Sequence, residues 1–284
     1  MSDWRINWGW RIGLGVLIVV VWQWGYALHA QVPWLTPEIL NPYFVSKPSE
    51  IFHQFLQQGC LVSYKGTWNG WSDGRFARCL QQNDNNLWVA TLSTMRNTLL
   101  GFAGGVGSGF VLGLLIGRSD RLTGIFQPFI IAANSVPRIA LAPLIILTFG
   151  IGDLSKVVTA WLVVIFLVFF NTFEGTRAVD RNHINAARLL GATKWRVTSS
   201  VIVPSTMAWL FASLTPAISL ALIGEIVGEF MGSERGLGRV IFVAQSQGDA
   251  AGMMVAVIVL MIVGVMLSAV VHRVQARLLR WQAA

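Results

Sequence analysis

Apolar positions along this chain gather into six runs, each long enough to cross a lipid hydrocarbon core and separated by polar, Gly/Pro-punctuated or basic stretches. A helix needs about 20 largely apolar residues for that crossing. The runs predict spans over roughly 12–29, 92–117, 124–150, 156–174, 206–231 and 252–272. The first run ends in Trp22, Trp24 and Tyr26. That is the signature of an interfacial aromatic belt rather than of a cleavage site with small residues, so it reads as a retained first span.

Within the second span Gly101, Gly105, Gly109, Gly113 and Gly117 recur every fourth residue. This spacing lays all five on one helical stripe and lets a neighbouring backbone come close. The neighbour is either another span of the same chain or a second subunit. The stretch 30–91 between the first two spans is Pro-rich early, at Pro33, Pro37, Pro42 and Pro48. Its segment 49–57 sets Ile51, Phe52, Phe55 and Leu56 on one face, as in a helix lying on a membrane surface. Farther on, Cys60 and Cys79 stand among Trp68, Trp71 and polar residues. They form a disulfide if the loop faces an oxidising compartment, and are two unpaired thiols otherwise.

Composition agrees with lipid as the solvent: 54% of residues are apolar and only 12% charged, about half the charged share of a soluble domain. The net charge of +8 does not indicate nucleic acid, because the basic residues sit between spans and build no continuous patch. With the N-terminus inside, Arg5, Arg11, Arg118, Arg121, Arg177, Arg181, Arg188, Lys194, Arg196, Arg273, Arg277 and Arg280 all fall on the inner side, and the positive-inside rule predicts both termini in the cytoplasm. The chain divides into 1–29 (N-terminus and first span), 30–91 (outer loop) and 92–284 (a core of five spans, with an inner loop over 178–204).

That inner loop carries the most informative pattern. Asp180 is a plausible helix N-cap. At helical pitch Ala186, Leu190, Thr193 and Val197 share one side, and Arg181, Arg188 and Trp195 the other. Small residues at Ala186 and Ala187 let another surface approach the backbone, and Gly191 lets the chain turn. The pattern describes a docking peg with a basic rim, or else a basic loop on the membrane surface.

Asn185-Ala186-Ala187, Gly191 and the Val201-Ile202-Val203-Pro204 ending resemble the EAA loop of ABC importer permeases, with Asn185 where the family has Glu. The stretches 135–144, 149–156, 186–192 and 229–238 resemble the nitrate/sulfonate/taurine group in particular, and residues 58–86 resemble an insertion. The resemblance implies an all-α, polytopic fold of six transmembrane helices, of the ABC importer type I permease kind, in a bacterial inner membrane. It implies a homodimer of permeases, two ATP-binding subunits that hold ATP and Mg, an extracytoplasmic substrate-binding protein, and a small, commonly anionic solute. By motif position, Asn185, Ala186, Ala187, Arg188, Gly191 and Lys194 would form the contact that couples ATP hydrolysis to transport.

Polar residues inside the membrane are costly and mark candidate pathway positions. Arg138, between Pro137 and Pro143, either meets an anionic substrate or pairs within the protein. Glu225 and Glu229, one turn apart, either line the pathway or pair with Arg235 or Arg239. Asn134, Ser213, Thr215 and Ser219 either line it too or bond back to their own backbones. The rival readings are a secondary transporter, for which no match between the halves is visible, and a non-transport structural subunit. An intramembrane enzyme would need a nucleophile–base pair or a metal cluster on facing spans, and the four histidines stand outside the span centres. No P-loop Gly-x4-Gly-Lys-Ser/Thr occurs, so the chain is expected to hold no cofactor, no metal and no ATPase of its own.

Overall fold

The computed structural model describes Trp10 and residues 13–25, 46–62, 79 and 86–278. Pro33, Pro37, Pro42, Trp68, Trp71, Tyr26, Arg5, Arg11 and Arg280 lie outside the described residues. The helices are α1 (Gly13–Gly25), α2 (Pro48–Gln58), α3 (Leu87–Gly117), α4 (Asp120–Ser135), α5 (Ala142–Phe149), α6 (Asp153–Arg177), α7 (Arg181–Leu189), α8 (Lys194–Phe230), α9 (Leu237–Ser246) and α10 (Ala250–Leu278). A 3-10 turn at Arg138–Leu141 joins α4 to α5.

Four of these, α3, α6, α8 and α10, are long and apolar enough to cross a membrane. They cover the predicted spans at 92–117, 156–174 and 252–272, and all of 206–231 but its last residue, and each starts earlier than predicted. Six transmembrane helices are not confirmed: the described residues hold four, or five if a broken pair counts as one. The predicted third span, 124–150, is two helices bent by 85°, a fifth crossing only if the broken pair counts as one. The cause is Pro137. It forces the preceding residue out of the helical region, and Val136 sits extended at φ −75°, ψ 127°. Of the first predicted span the described residues show α1, about 20 Å at 1.5 Å per residue. Its predicted continuation over 26–29 lies outside the described residues.

The chain forms two compact units. In the first, residues 1–90 and 237–260, the buried side chains Ile51, Leu87, Ala90, Leu237 and Val255 make one cluster, joined by Phe55 and Trp22. The apolar face expected to lie on a membrane surface is therefore partly spent inside the protein: Ile51 is buried, while Phe52 remains exposed. Polar ties fix the ends. Asp249 Oδ1 accepts from the Gly252 N–H at 2.8 Å, and Gln54 Nε2 donates to Asp249 Oδ2 at 3.3 Å. Trp88 Nε1 donates to the Gly59 carbonyl at 2.9 Å, beside a Cys60–Cys79 disulfide.

The second unit, residues 91–236 and 261–284, is centred on α6 and α8, which bury Ala160, Val164, Val168, Leu210, Leu214, Ala217 and Ala221 against each other. The most apolar stretch of α8 is 61% buried, against 22% for α3 and α10, so α8 is the innermost span. The glycine stripe of α3 packs within the chain, against α6. A Cβ at Gly101 would stand 2.6 Å from Ala160 Cβ, and one at Gly113 would stand 2.8 Å from the Phe169 carbonyl oxygen. Such distances leave no room for a side chain, so the stripe sets how closely the two helices approach.

Candidate functional site

The loop between α6 and α8 folds as a capped, free-standing helix. Asp180 Oδ1 accepts from the Asn182 N–H at 2.8 Å and starts α7. At its other end the Gly191 N–H donates to the Arg188 carbonyl at 2.9 Å and the Ala192 N–H to the Ala187 carbonyl at 3.0 Å. This is a Schellman closure, and it requires the positive φ of +79° that Gly191 supplies. Thr193 then caps α8, accepting from the Arg196 N–H. One π turn at Thr198–Ile202 follows before the span proper.

The turn at Gly191 separates residues that a continuous helix would have aligned. Val197 is buried, whereas Leu190 is 88% exposed, so they do not share a side as the helical pitch suggested. Asn185, Ala186, Arg188, Gly191 and Lys194 are exposed and Ala187 is half-buried. Around them Leu189 and Trp195 are exposed as well, at 89% and 74%. Three large apolar side chains beside small ones, at the tip of a loop, present an unpartnered hydrophobic knob. The sequence reading missed Leu189 and Leu190 as surface groups, although two leucines directly before a helix-ending glycine were the available signal.

The pathway candidates do not form one cluster. Arg138 Nη2 donates to Asn134 Oδ1 at 2.9 Å, and the guanidinium lies 5.0 Å from the Phe166 ring centroid and 6.0 Å from that of Phe170. Cation–π contact holds the group at the break between α4 and α5. The same two rings line an apolar groove of about 340 Å³ between α3, α4 and α6, with Phe126, Phe129 and Trp161. Arg138 Nε has no hydrogen-bond partner among the described residues. Ser213 and Ser219 turn back on their own helix, to the carbonyls of Leu210 at 2.7 Å and Thr215 at 3.5 Å. Thr215 Oγ1 donates to Gln275 Oε1 on α10.

Glu225 and Glu229 are fully buried in a network of their own. Thr94 Oγ1 donates to Glu229 Oε1 at 2.8 Å, and Asn97 Nδ2 donates to Glu225 Oε1 at 3.2 Å and to Asp153 Oδ1 at 3.3 Å. Lys156, 2% exposed, bonds Asp153 Oδ1 at 2.8 Å, Ser233 Oγ at 3.0 Å and the Arg235 carbonyl at 3.3 Å. Arg96 also pairs with Asp153. The chain passes the carboxylates at Gly236, where φ is +131° and a Cβ would fall on the Glu229 carboxyl. The network thus locks α3, the start of α6, the end of α8 and the loop that follows. Thr94, Asn97, Asp153 and Lys156 had no assigned role in the sequence reading, which began its fourth span at position 156. The signal for Lys156 was the i, i+3 pair with Asp153 in a first helical turn.

The family model described as binding-protein-dependent transport system inner membrane component matches residues 109–281. The formylaminopyrimidine transport permease protein ThiX of Halalkalibacterium halodurans is 30% identical over 205 residues, covering 72% of this chain and 82% of that protein. The taurine transport system permease protein TauC of Escherichia coli is 24% identical over 98% of this chain and 94% of its own. Among solved structures, an inward-facing conformation of the MetNI methionine ABC transporter superposes with a TM-score of 0.60 at 18% identity, covering 67% of this chain and 95% of that one. At that identity the superposition speaks for the fold.

Proposed function

This chain belongs to the binding-protein-dependent transport system inner membrane components, the permeases of ABC importers, and on that premise we propose that it is driven by separate ATP-binding subunits docking on α7 to import a small solute carrying an anionic group. The observation that carries the proposal is the free-standing α7 with its exposed apolar tip. Leu189, Leu190 and Trp195 are exposed, and burying each against a partner would contribute about 1.5–3 kcal/mol. Asn185, Ala186, Ala187, Arg188, Gly191 and Lys194 surround that tip and make up the rest of the docking face, with Asn185 hydrogen-bonding where the family Glu would pair ionically. The partners that follow are a second permease copy, two ATPases that hold ATP and Mg, and an extracytoplasmic binding protein. Both termini lie in the cytoplasm in this arrangement.

The test is ATP hydrolysis by the reconstituted complex. Leu189→Asp with Leu190→Asp is expected to lower substrate-stimulated hydrolysis by about tenfold or more, by desolvating two carboxylates in an apolar contact. Folding should be untouched, because both side chains are already in solvent. Full stimulation in this variant would remove α7 as the coupling element.

For the solute, the supporting feature is Arg138, a permanent charge with spare donors held at the break between α4 and α5. Arg138→Gln is expected to raise the KM for an anionic substrate about tenfold or more while leaving unstimulated ATP hydrolysis unchanged. An unaltered KM across a panel of sulfonates and carboxylates would exclude this residue from recognition. The relatives' names include a pyrimidine as well as taurine, so the panel should contain an uncharged heterocycle.

A further inference from the structure

A second polar site lies at the opposite end of α6 from the Lys156 network. The ends of α3 and α6, the start of α4 and one face of α7 enclose a cavity of about 270 Å³. That is room for a tetrahedral oxyanion and several waters, at about 30 Å³ per water. Its wall includes Arg118, Arg177, Arg181 and Arg188, with Asp120 and Asn185. Four guanidinium groups face one carboxylate. Asp120 is engaged in an ion pair with Arg177. Among the described residues, Arg118, Arg181 and Arg188 have no carboxylate in ion-pair contact.

All four side chains are exposed, so water screens part of their mutual repulsion, and the concentrated positive charge attracts an anion. Guanidinium does not lose its proton, so repulsion between the four groups cannot be relieved by titration. Each carries a rigid fork of donors that matches two oxygens of a phosphate. The surroundings specify where such a group comes from. The apolar parts of α3 and α6 stop at Gly117 and Arg177, and basic pockets between span ends suit anionic headgroups.

We propose that this cavity binds a phosphate group, from an anionic lipid headgroup or from free phosphate, and that the bound anion ties α7 to the ends of α3, α4 and α6. Arg181 and Arg188 belong to α7, Arg118 follows α3 and Arg177 closes α6, so one anion bridges the docking helix to the membrane helices. This is independent of which solute is carried. It makes the position of α7 depend on the surrounding lipid.

The experiment is hydrogen exchange of the α7 amides in the full permease–ATPase complex in nanodiscs. Three conditions are compared: phosphatidylcholine alone, phosphatidylcholine with phosphatidylglycerol, and phosphatidylcholine with inorganic phosphate added. Phosphatidylglycerol is expected to slow exchange over 181–190 by about tenfold or more. The protection should vanish in Arg118→Gln with Arg181→Gln, and persist in Arg273→Gln with Arg277→Gln, which removes two exposed charges elsewhere. Protection by phosphatidylglycerol alone identifies a headgroup as the ligand; protection by inorganic phosphate identifies a free oxyanion. If neither protects, or if both double variants respond alike, the site does not exist. Should the Gln pair fail to assemble, Arg118→Lys with Arg181→Lys keeps the charge and loses the fork. Reduced protection there upholds the site, and full protection overturns it.

Discussion

Replacing Lys156 with Met is expected to destabilise the chain by about 3 kcal/mol or more, the cost of removing one partner from a buried charge network. The ammonium satisfies Asp153, Ser233 and the Arg235 carbonyl at once, and Asp153 shares the Asn97 amide with the fully buried Glu225. Without it Glu225 remains in an apolar interior with one carboxyl oxygen, Oε2, already lacking a hydrogen-bond partner among the described residues. The same reasoning predicts a rescue. Lys156→Met combined with Glu225→Gln should recover about half of the loss, because an amide keeps the bond with Asn97 and carries no charge to bury. Unfolding midpoints in mild detergent for the two single variants and the double variant complete the cycle. Additive effects would mean that Lys156 acts only on its local loop, and that α3 and α8 are not joined through charge.

Gly105→Leu should be about as damaging, through packing rather than charge. A Cβ at this position would stand 2.6 Å from both Val164 Cβ and Val164 Cγ1, and 3.1 Å from the Ile165 nitrogen. Backbone and β-branched atoms cannot move aside by themselves, so α3 must separate from α6. Over-packing of this kind costs about 1–3 kcal/mol for smaller insertions, and a leucine belongs at the upper end of that range or above it. Gly107→Leu is the internal control. It adds the same side chain two residues away, where nothing lies within 4 Å, and replaces glycine by a better helix former. The folded, monodisperse fraction after purification should fall sharply for Gly105→Leu and hold for Gly107→Leu. Equal behaviour of the two would mean that the stripe does not set the spacing of the helices.

Both predictions concern residues of which the sequence conveyed only half. The glycine stripe was plain from its four-residue period, but a period says that something comes close and not what. Only the fold supplied α6 as the neighbour. Lys156 was visible as a basic residue at the margin of an apolar run, where positive charges ordinarily face water. Its burial depends on Ser233 and the Arg235 carbonyl, nearly eighty residues on, and local pattern carries no information about such a pairing. Glu225 and Glu229 were singled out by their cost in the membrane, yet their partners Thr94 and Asn97 look like ordinary polar residues of a span.

The membrane class, four of the long spans and the capped loop with its family spacing were legible in the sequence alone. Each follows from a local rule: hydrocarbon accepts only long apolar helices with their backbone bonds satisfied internally, and a Schellman turn asks for glycine. The 85° bend, the α3–α6 contact, the Lys156–Asp153–Glu225 network and the arginine-lined cavity beneath α7 were decided by the tertiary structure. They arise where segments distant in sequence meet, and the free energy of such a meeting depends on which side chains arrive together, which periodicity along one segment does not determine.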